Sequence, residues 1–133
     1  MDKTVLVNEQ IDAGREFAEA FNAYQVVDVL FWLNHADSSE WLLYLASKAI
    51  NDGNFDIAYG EVLRLVGSGR QMWLDAFQVK LINSDDALAK KAKEIRDRHP
   101  APLATRYNGT SIAGVAVDGA YIYPPLNAAA IAS

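Results

Sequence analysis

Apolar residues recur at helical spacing in three separate stretches of the chain, residues 8–24, 54–69 and 84–99. A repeat of three to four residues places such side chains on one face of a helix, where they pack against a core. Asn8 and Ser84, at the starts of the first and third stretches, are residue types suited to helix N-caps. The predicted buried stripes are Ala13, Phe17, Phe21 and Tyr24; Ala58, Val62 and Leu65; and Leu88, Ala92 and Ile95.

The stretch 27–46 combines two runs rich in β-branched and aromatic residues with a polar cluster, "NHADSSE", between them. This arrangement predicts a β-hairpin with a longer loop. A hairpin with one solvated face alternates apolar and polar residues, but both runs are apolar at nearly every position, so we expect both faces to be covered. The helices supply one covering layer, and the other is a second subunit or a ligand.

Alternation of apolar and polar residues predicts a strand over 77–81, with Phe77 on its apolar face, and two further strands within 114–123. The dipeptide Asp118-Gly119 separates the last two runs. Because Asp-Gly readily adopts the turn that closes a tight hairpin, it predicts a turn at this point.

These elements give the order α-β-β-α-β-α-β-β. Hairpins outnumber βαβ crossovers in this order, so we expect an α+β fold. The predicted architecture is a largely antiparallel sheet of about five strands with three helices, in a single domain over residues 1–133. The small apolar tail, 126–133, is predicted to form a short helix or a frayed end.

The composition is that of a globular protein, since 51% of the 133 residues are hydrophobic and 22% are charged. The net charge of −5 makes nucleic acid an unlikely partner, because neutralising phosphates supplies most of the affinity for it. The chain has no cysteine, which excludes disulfides and thiolate metal sites. Neither a signal peptide nor a membrane-spanning apolar run is present, so we expect a cytoplasmic protein that does not bind membranes.

The glycine-rich segment 109–114, "GTSIAG", invites comparison with a nucleophile elbow. That motif needs glycines two residues on either side of the serine, whereas Gly114 follows Ser111 by three residues. A phosphate-binding loop would need Gly-Lys followed by Ser or Thr, which the chain lacks. The sequence therefore offers no catalytic motif and no cofactor or metal signature. This favours a protein that is not an enzyme and holds no cofactor.

Candidate ligand-binding residues come from the histidines, the aromatic residues and one arginine. His35 lies in the polar turn beside Asp37 and Glu40, the one local acid–base grouping, while His99 closes the third helix. Tyrosine and tryptophan are enriched at interfaces and ligand sites, and Arg106 enters the last strands as a cation suited to anion binding. The candidate site residues are Trp32, His35, Trp41, Arg106, Tyr121 and Tyr123.

Three segments, "FWLNHADSSEWLLYLAS", "FQVKLINSDDALAKKA" and "AYIYPP", resemble segments of small uncharacterised bacterial proteins carried on mobile elements such as integron gene cassettes. The resemblance covers most of the chain after the first helix and rests on pattern, without a diagnostic motif. It implies a prokaryotic cytosolic protein, and it supplies no catalytic residues to carry over.

Two functions of different kinds follow from these observations. The first is a non-enzymatic homo-oligomer, in the simplest form a homodimer, or an interaction module, indicated by the two-sided apolar hairpin at 27–46. The alternative is a small-molecule-binding protein or modest enzyme with an aromatic-lined pocket, to which His35 and Arg106 supply polar groups. A third hypothesis, that the basic residues of the third helix bind nucleic acid or an acidic partner, is opposed by the acidic residues that offset them.

Overall fold

The computed structural model describes residues 6–38, 40–68, 74–98, 104–107 and 109–126. Within these ranges it contains three α-helices, six β-strands and one turn of 3₁₀-helix at Ala76–Gln78. The helices are α1 (Asn8–Asn22), α2 (Phe55–Ser68) and α3 (Ala87–Asp97). The strands are β1 (Val29–His35), β2 (Trp41–Ser47), β3 (Val79–Asn83), β4 (Thr105–Tyr107), β5 (Ser111–Ile112) and β6 (Val115–Ile122).

The strands form a mixed sheet in the order β3-β2-β1-β6-β4, and β5 pairs with β6 beside this path. β2 and β3 are parallel, and the other pairs are antiparallel. The predicted α+β class and element order are confirmed, but the sheet has six strands and is mixed, where we expected about five. The sheet is mixed because α2 carries the chain from the end of β2 back to the start of β3, and such a crossover makes neighbouring strands parallel. The number of strands differs because the short β4 and β5 were not expected, while β6 is one strand where two were expected.

Helices cover both faces of the central β1–β2 hairpin. On one face Trp32 belongs to a buried cluster with Phe17 of α1 and Val62 of α2. On the other face Phe31 packs in a second cluster with Ala92 of α3. The prediction that both faces are covered is therefore confirmed. The second layer is the protein's own α3, so neither a second subunit nor a ligand is needed to explain it.

A buried tyrosine fixes α1 to the sheet. The Tyr123 hydroxyl donates a hydrogen bond to the backbone oxygen of Ile11 at 2.6 Å and accepts one from Trp32 Nε1 at 2.8 Å. A Cβ atom at Gly14 would lie 2.5 Å from this hydroxyl. The glycine in the middle of α1 therefore allows the helix backbone to approach the Tyr123–Trp32 pair closely.

The turn predicted at Asp118-Gly119 is wrong, because β6 runs without interruption through both residues. The hairpin between β5 and β6 turns instead at Ala113 and Gly114, whose φ angles of 52° and 85° match a tight type I′ turn. The pairing between β1 and β6 shifts register beside Asn34, where β6 carries an extra residue. Asp118-Gly119 is thus accommodated as a β-bulge within a strand.

Several local predictions also need correction. Asn8 is the first residue of α1, whose N-cap is Val7, and Tyr24 lies beyond the end of α1 and is exposed. Phe77 does not lie on the buried face of a strand; it belongs to the 3₁₀ turn before β3 and is 80% exposed. The N-cap of α3 is Asp86, whose carboxylate accepts the backbone N–H of Leu88 at 2.9 Å, and not Ser84. The predictions for His99 and for the tail from residue 127 onward lie outside the described residues.

Candidate functional site

A cleft of about 340 Å³ opens at one end of the sheet, on the face that α1 covers. The pairing of the strands brings its lining residues together. Asn34 of β1 lies opposite Trp41 of β2 on one side and opposite Gly119 of β6 on the other. The aromatic ring of Trp41 lies over Gly119, where a Cβ atom would be 3.7 Å from it. The lining residues are Leu6, Asn34, Trp41, Arg106, Asp118, Gly119 and Ala120.

Arg106 provides the positive charge of this cleft. It pairs with Tyr121 across β4 and β6, and its guanidinium carbon lies 5.1 Å from the centre of the Tyr121 ring. Such a cation–π contact holds the guanidinium group in place without neutralising it. In the described part of the chain, no carboxylate lies within salt-bridge distance of Arg106. The cleft therefore presents a positioned cation that is available to an anion.

Burial raises the pKa of the Tyr121 hydroxyl, and the nearby charge of Arg106 opposes this effect. Tyr121 therefore stays neutral at physiological pH and serves as an uncharged surface beneath the guanidinium group. The ring beneath Arg106 therefore carries no negative charge that would neutralise the guanidinium group.

Asn34 is the most deeply buried polar residue of the cleft, at 2% exposure. Its Oδ1 atom has no hydrogen-bond partner among the described residues. Leaving a buried acceptor unpaired costs about 1–3 kcal/mol, so proteins usually satisfy such atoms. An unsatisfied acceptor that lines a cleft is therefore a candidate contact for a donor group on a ligand.

The structure separates the six candidate residues into three groups. Trp41 and Arg106 line the cleft, and Tyr121 supports Arg106. Trp32 and Tyr123 belong to the core, where they are bonded to each other and fully enclosed. The Tyr123 ring meets the Tyr121 ring edge-on at 5.1 Å, so this core pair supports the aromatic surface from behind.

His35 lies on the opposite face of the sheet from the cleft. Its Nε2 atom is 2.8 Å from the hydroxyl of Tyr44, whose ring stacks on Phe31 in the cluster that α3 covers. Burial raises the pKa of Tyr44, with a further contribution from the charge of Asp86. His35 therefore does not join Arg106 in one site, and its ring is bonded to Tyr44 rather than to the carboxylates of the turn.

Among the polar residues that line the cleft, sequence reasoning missed Asn34 and Asp118. Asn34 could have been identified from the sequence, because it is a polar residue that continues the apolar run of β1 and lies at a buried position of that strand. Asp118 was predicted to lie in a turn, so its position in the bulge beside Asn34 was not expected.

Features elsewhere in the described residues offer less. They include no group of three or more His, Cys, Asp or Glu side chains that could hold a metal ion. Among them, no helix is sufficiently long and apolar to cross a membrane. Most basic side chains of α3 and its C-cap are paired with acidic side chains, which makes an anion-binding surface on this helix less favourable. The pairs are Lys91–Glu94, Arg98–Glu94, Lys93–Asp28 and Arg96–Asp97.

Comparison with known proteins adds no assignment to this geometry. No family model, no curated protein and no solved structure gives a significant match to the chain.

Proposed function

We propose that the protein binds a small organic anion, specifically a carboxylate, in the cleft between β1, β2, β6 and β4. The observation that carries this proposal is Arg106, which is held over the Tyr121 ring without a carboxylate partner in the described chain. Arginine recognises carboxylates through two parallel N–H···O bonds, and its planar group suits this geometry better than lysine does.

The size and surroundings of the cleft favour a small ligand over a polymer. Its volume of about 340 Å³ falls at the lower end of the range that small-molecule sites occupy. The Trp41 ring supplies an apolar wall for an organic group. Asp118 lines the same cleft, and the chain carries a net charge of −5, so a polyanion such as nucleic acid would meet repulsion.

Binding is favoured over catalysis as the role of this cleft. The one local acid–base grouping of the sequence centres on His35, and this residue lies on the other face of the sheet. A reaction in the cleft would have to use Asp118 or a group supplied by the ligand. We therefore infer a binding protein in which recognition, and not turnover, is the function.

Titration calorimetry with benzoate and its ring-substituted relatives tests the proposal. We expect binding to the wild-type protein and a loss of at least tenfold in affinity for Arg106→Gln, which removes the charge and keeps much of the side chain. Arg64→Gln is the matched control, because Arg64 pairs with Glu61 on the surface of α2. Equal affinity of wild type and Arg106→Gln, or no binding of any carboxylate, would contradict the proposal.

Self-association, as a homodimer or interaction module, is the second candidate function. Its original support, the two-sided apolar hairpin, is accounted for by α1, α2 and α3. A different observation now favours it: Phe77 is 80% exposed directly before β3, which lies at the edge of the sheet. Edge strands with exposed apolar neighbours readily pair with another chain.

Light scattering across a concentration series checks self-association. If the β3 edge mediates it, the wild type forms a dimer and Phe77→Ser shifts it toward the monomer. A wild type that stays monomeric at high micromolar concentration would remove this candidate.

The resemblance to bacterial mobile-element proteins supports a further proposal, that the protein works in a bacterial cytoplasm. Fractionation of cells that produce the protein at its native level tests this location. Recovery in the membrane or periplasmic fraction would overturn it.

A further inference from the structure

We infer that the cleft recognises two groups on its ligand: a carboxylate at Arg106 and an N–H donor at Asn34. The ligand class is therefore an amino-substituted carboxylate. This inference rests on the proposed function and extends it to the specificity of the site.

The first support is the state of Asn34. The residue lies on a central strand whose backbone is paired on both sides, so its position is fixed by the sheet. Its buried Oδ1 atom lacks a partner among the described residues, and the cleft is the space that this side chain lines. A site built to receive a hydrogen bond from a ligand discriminates strongly against an analogue that lacks the donor, because the acceptor then stays unpaired.

The second support is the separation of the two anchors. Asn34 and Arg106 lie on β1 and β4, and β6 runs between them, so their backbones are about 10 Å apart, two strand spacings. Asn34 is opposite Gly119 and Arg106 is opposite Tyr121, which adds about 7 Å along the strand. The long Arg106 side chain shortens this gap by folding over Tyr121. A ligand must therefore carry its donor and its carboxylate at different ends.

The third support is the distribution of charge. Asp118 lies in the bulge beside Asn34, and Arg106 lies two strands away from Asn34. The cleft is consequently negative near Asn34 and positive near Arg106. An amine or ammonium group fits the first end, and a carboxylate fits the second.

The experiment compares aminobenzoates with toluates by titration calorimetry. In each ortho, meta and para pair, an amino group replaces a methyl group of nearly equal size, so the pairs differ chiefly in the N–H donor. We expect the para- or meta-aminobenzoate, whose two groups are separated across the ring, to bind ten times or more tightly than its toluate, and the ortho pair to show the smallest preference. We also expect this preference to disappear in Asn34→Leu, which replaces the amide by an apolar group of similar volume.

A second readout is independent of any ligand. Removing an unpaired buried acceptor should raise the melting temperature, so Asn34→Leu should melt a few degrees above the wild type. If Asn34→Leu fails to fold, Asn34→Ala serves in the same binding comparison. Circular dichroism verifies folding in either case.

The outcomes separate the two proposals. Toluates that bind as tightly as aminobenzoates, with affinity that still depends on Arg106, would overturn the role of Asn34 and leave carboxylate binding in place. A preference for the amine that survives in Asn34→Leu would also overturn it. If neither series binds, the proposed function fails, and this inference fails with it.

Discussion

Two buried polar groups on the same face of the sheet have opposite surroundings. The Tyr123 hydroxyl, behind the centre of the sheet, both donates and accepts a hydrogen bond within the protein. The Asn34 amide oxygen, at the end of the same face, has no partner among the described residues. Because burial penalises any unpaired polar atom, the paired group stabilises the fold and the unpaired one costs stability. The Tyr123 hydroxyl therefore helps to hold the core together, whereas the Asn34 oxygen is the atom for which we propose a ligand as the partner.

The largest effect is expected where the paired group is removed. Tyr123→Phe leaves the Trp32 indole N–H buried without a partner and removes the second hydrogen bond to the Ile11 carbonyl within α1, at a combined cost of about 2–4 kcal/mol in unfolding free energy. Urea denaturation followed by circular dichroism measures this loss. Tyr121→Phe is the matched control and should change stability by less than about 0.5 kcal/mol, since no described residue bonds to its hydroxyl. Equal losses of stability in the two variants would contradict the stabilising role of the Tyr123 hydrogen bonds.

A smaller loss is expected from filling the space beside the Tyr123 hydroxyl. Alanine favours a helix over glycine by about 1 kcal/mol, but the added Cβ of Gly14→Ala would lie 2.5 Å from this buried hydroxyl. We expect a net destabilisation of about 1–3 kcal/mol from the forced displacement. Gly60→Ala in α2 is the control, because a Cβ there meets no atom within 4 Å and should stabilise. Thermal unfolding of both variants tests this packing. A Gly14→Ala protein that is more stable than the wild type would contradict it.

The smallest effect concerns pH. Burial raises the pKa of Tyr123 well above its ordinary value of 10.0. Its neutral form therefore stabilises the folded state fully below pH 10, and this contribution declines as the unfolded chain ionises at higher pH. Between pH 9 and pH 11 the stability advantage of wild type over Tyr123→Phe should fall by about 1 kcal/mol. Urea midpoints at these two pH values provide the measurement, and a constant difference would contradict a buried neutral hydroxyl.

Much of the fold could be predicted from local patterns. The helical stripes around Phe17, Val62 and Ala92 became the covering layers, because a 3.6-residue repeat fixes which side is buried. The parallel pairing of β2 and β3 could not be read from alternation, since it depends on the path that α2 takes across the sheet.

The site was less predictable because it depends on sheet order and on one bulge. Arg106 reaches the cleft only because β6 lies between β1 and β4, a pairing of segments distant in the sequence. Asp-Gly suits a tight turn better than Ala-Gly, whose alanine must adopt a positive φ, yet the turn forms at Ala113-Gly114 because residues 118 and 119 are taken up in the pairing with β1. The face on which His35 lies could have been predicted from the alternation of side chains along a strand. His35 follows Trp32 by three residues and therefore lies on the opposite face.

The central position of β6 affects how the chain behaves during synthesis. Among the described residues β6 is the last strand along the chain, yet it lies between β1 and β4 in the sheet. Until residues 115–122 leave the ribosome, one edge of β1 has no partner strand. This edge is rich in apolar side chains that are buried in the folded protein, so it can pair with other chains and aggregate. Loss of residues 115–122 would therefore harm solubility more than loss of an equal length from the sheet's edge.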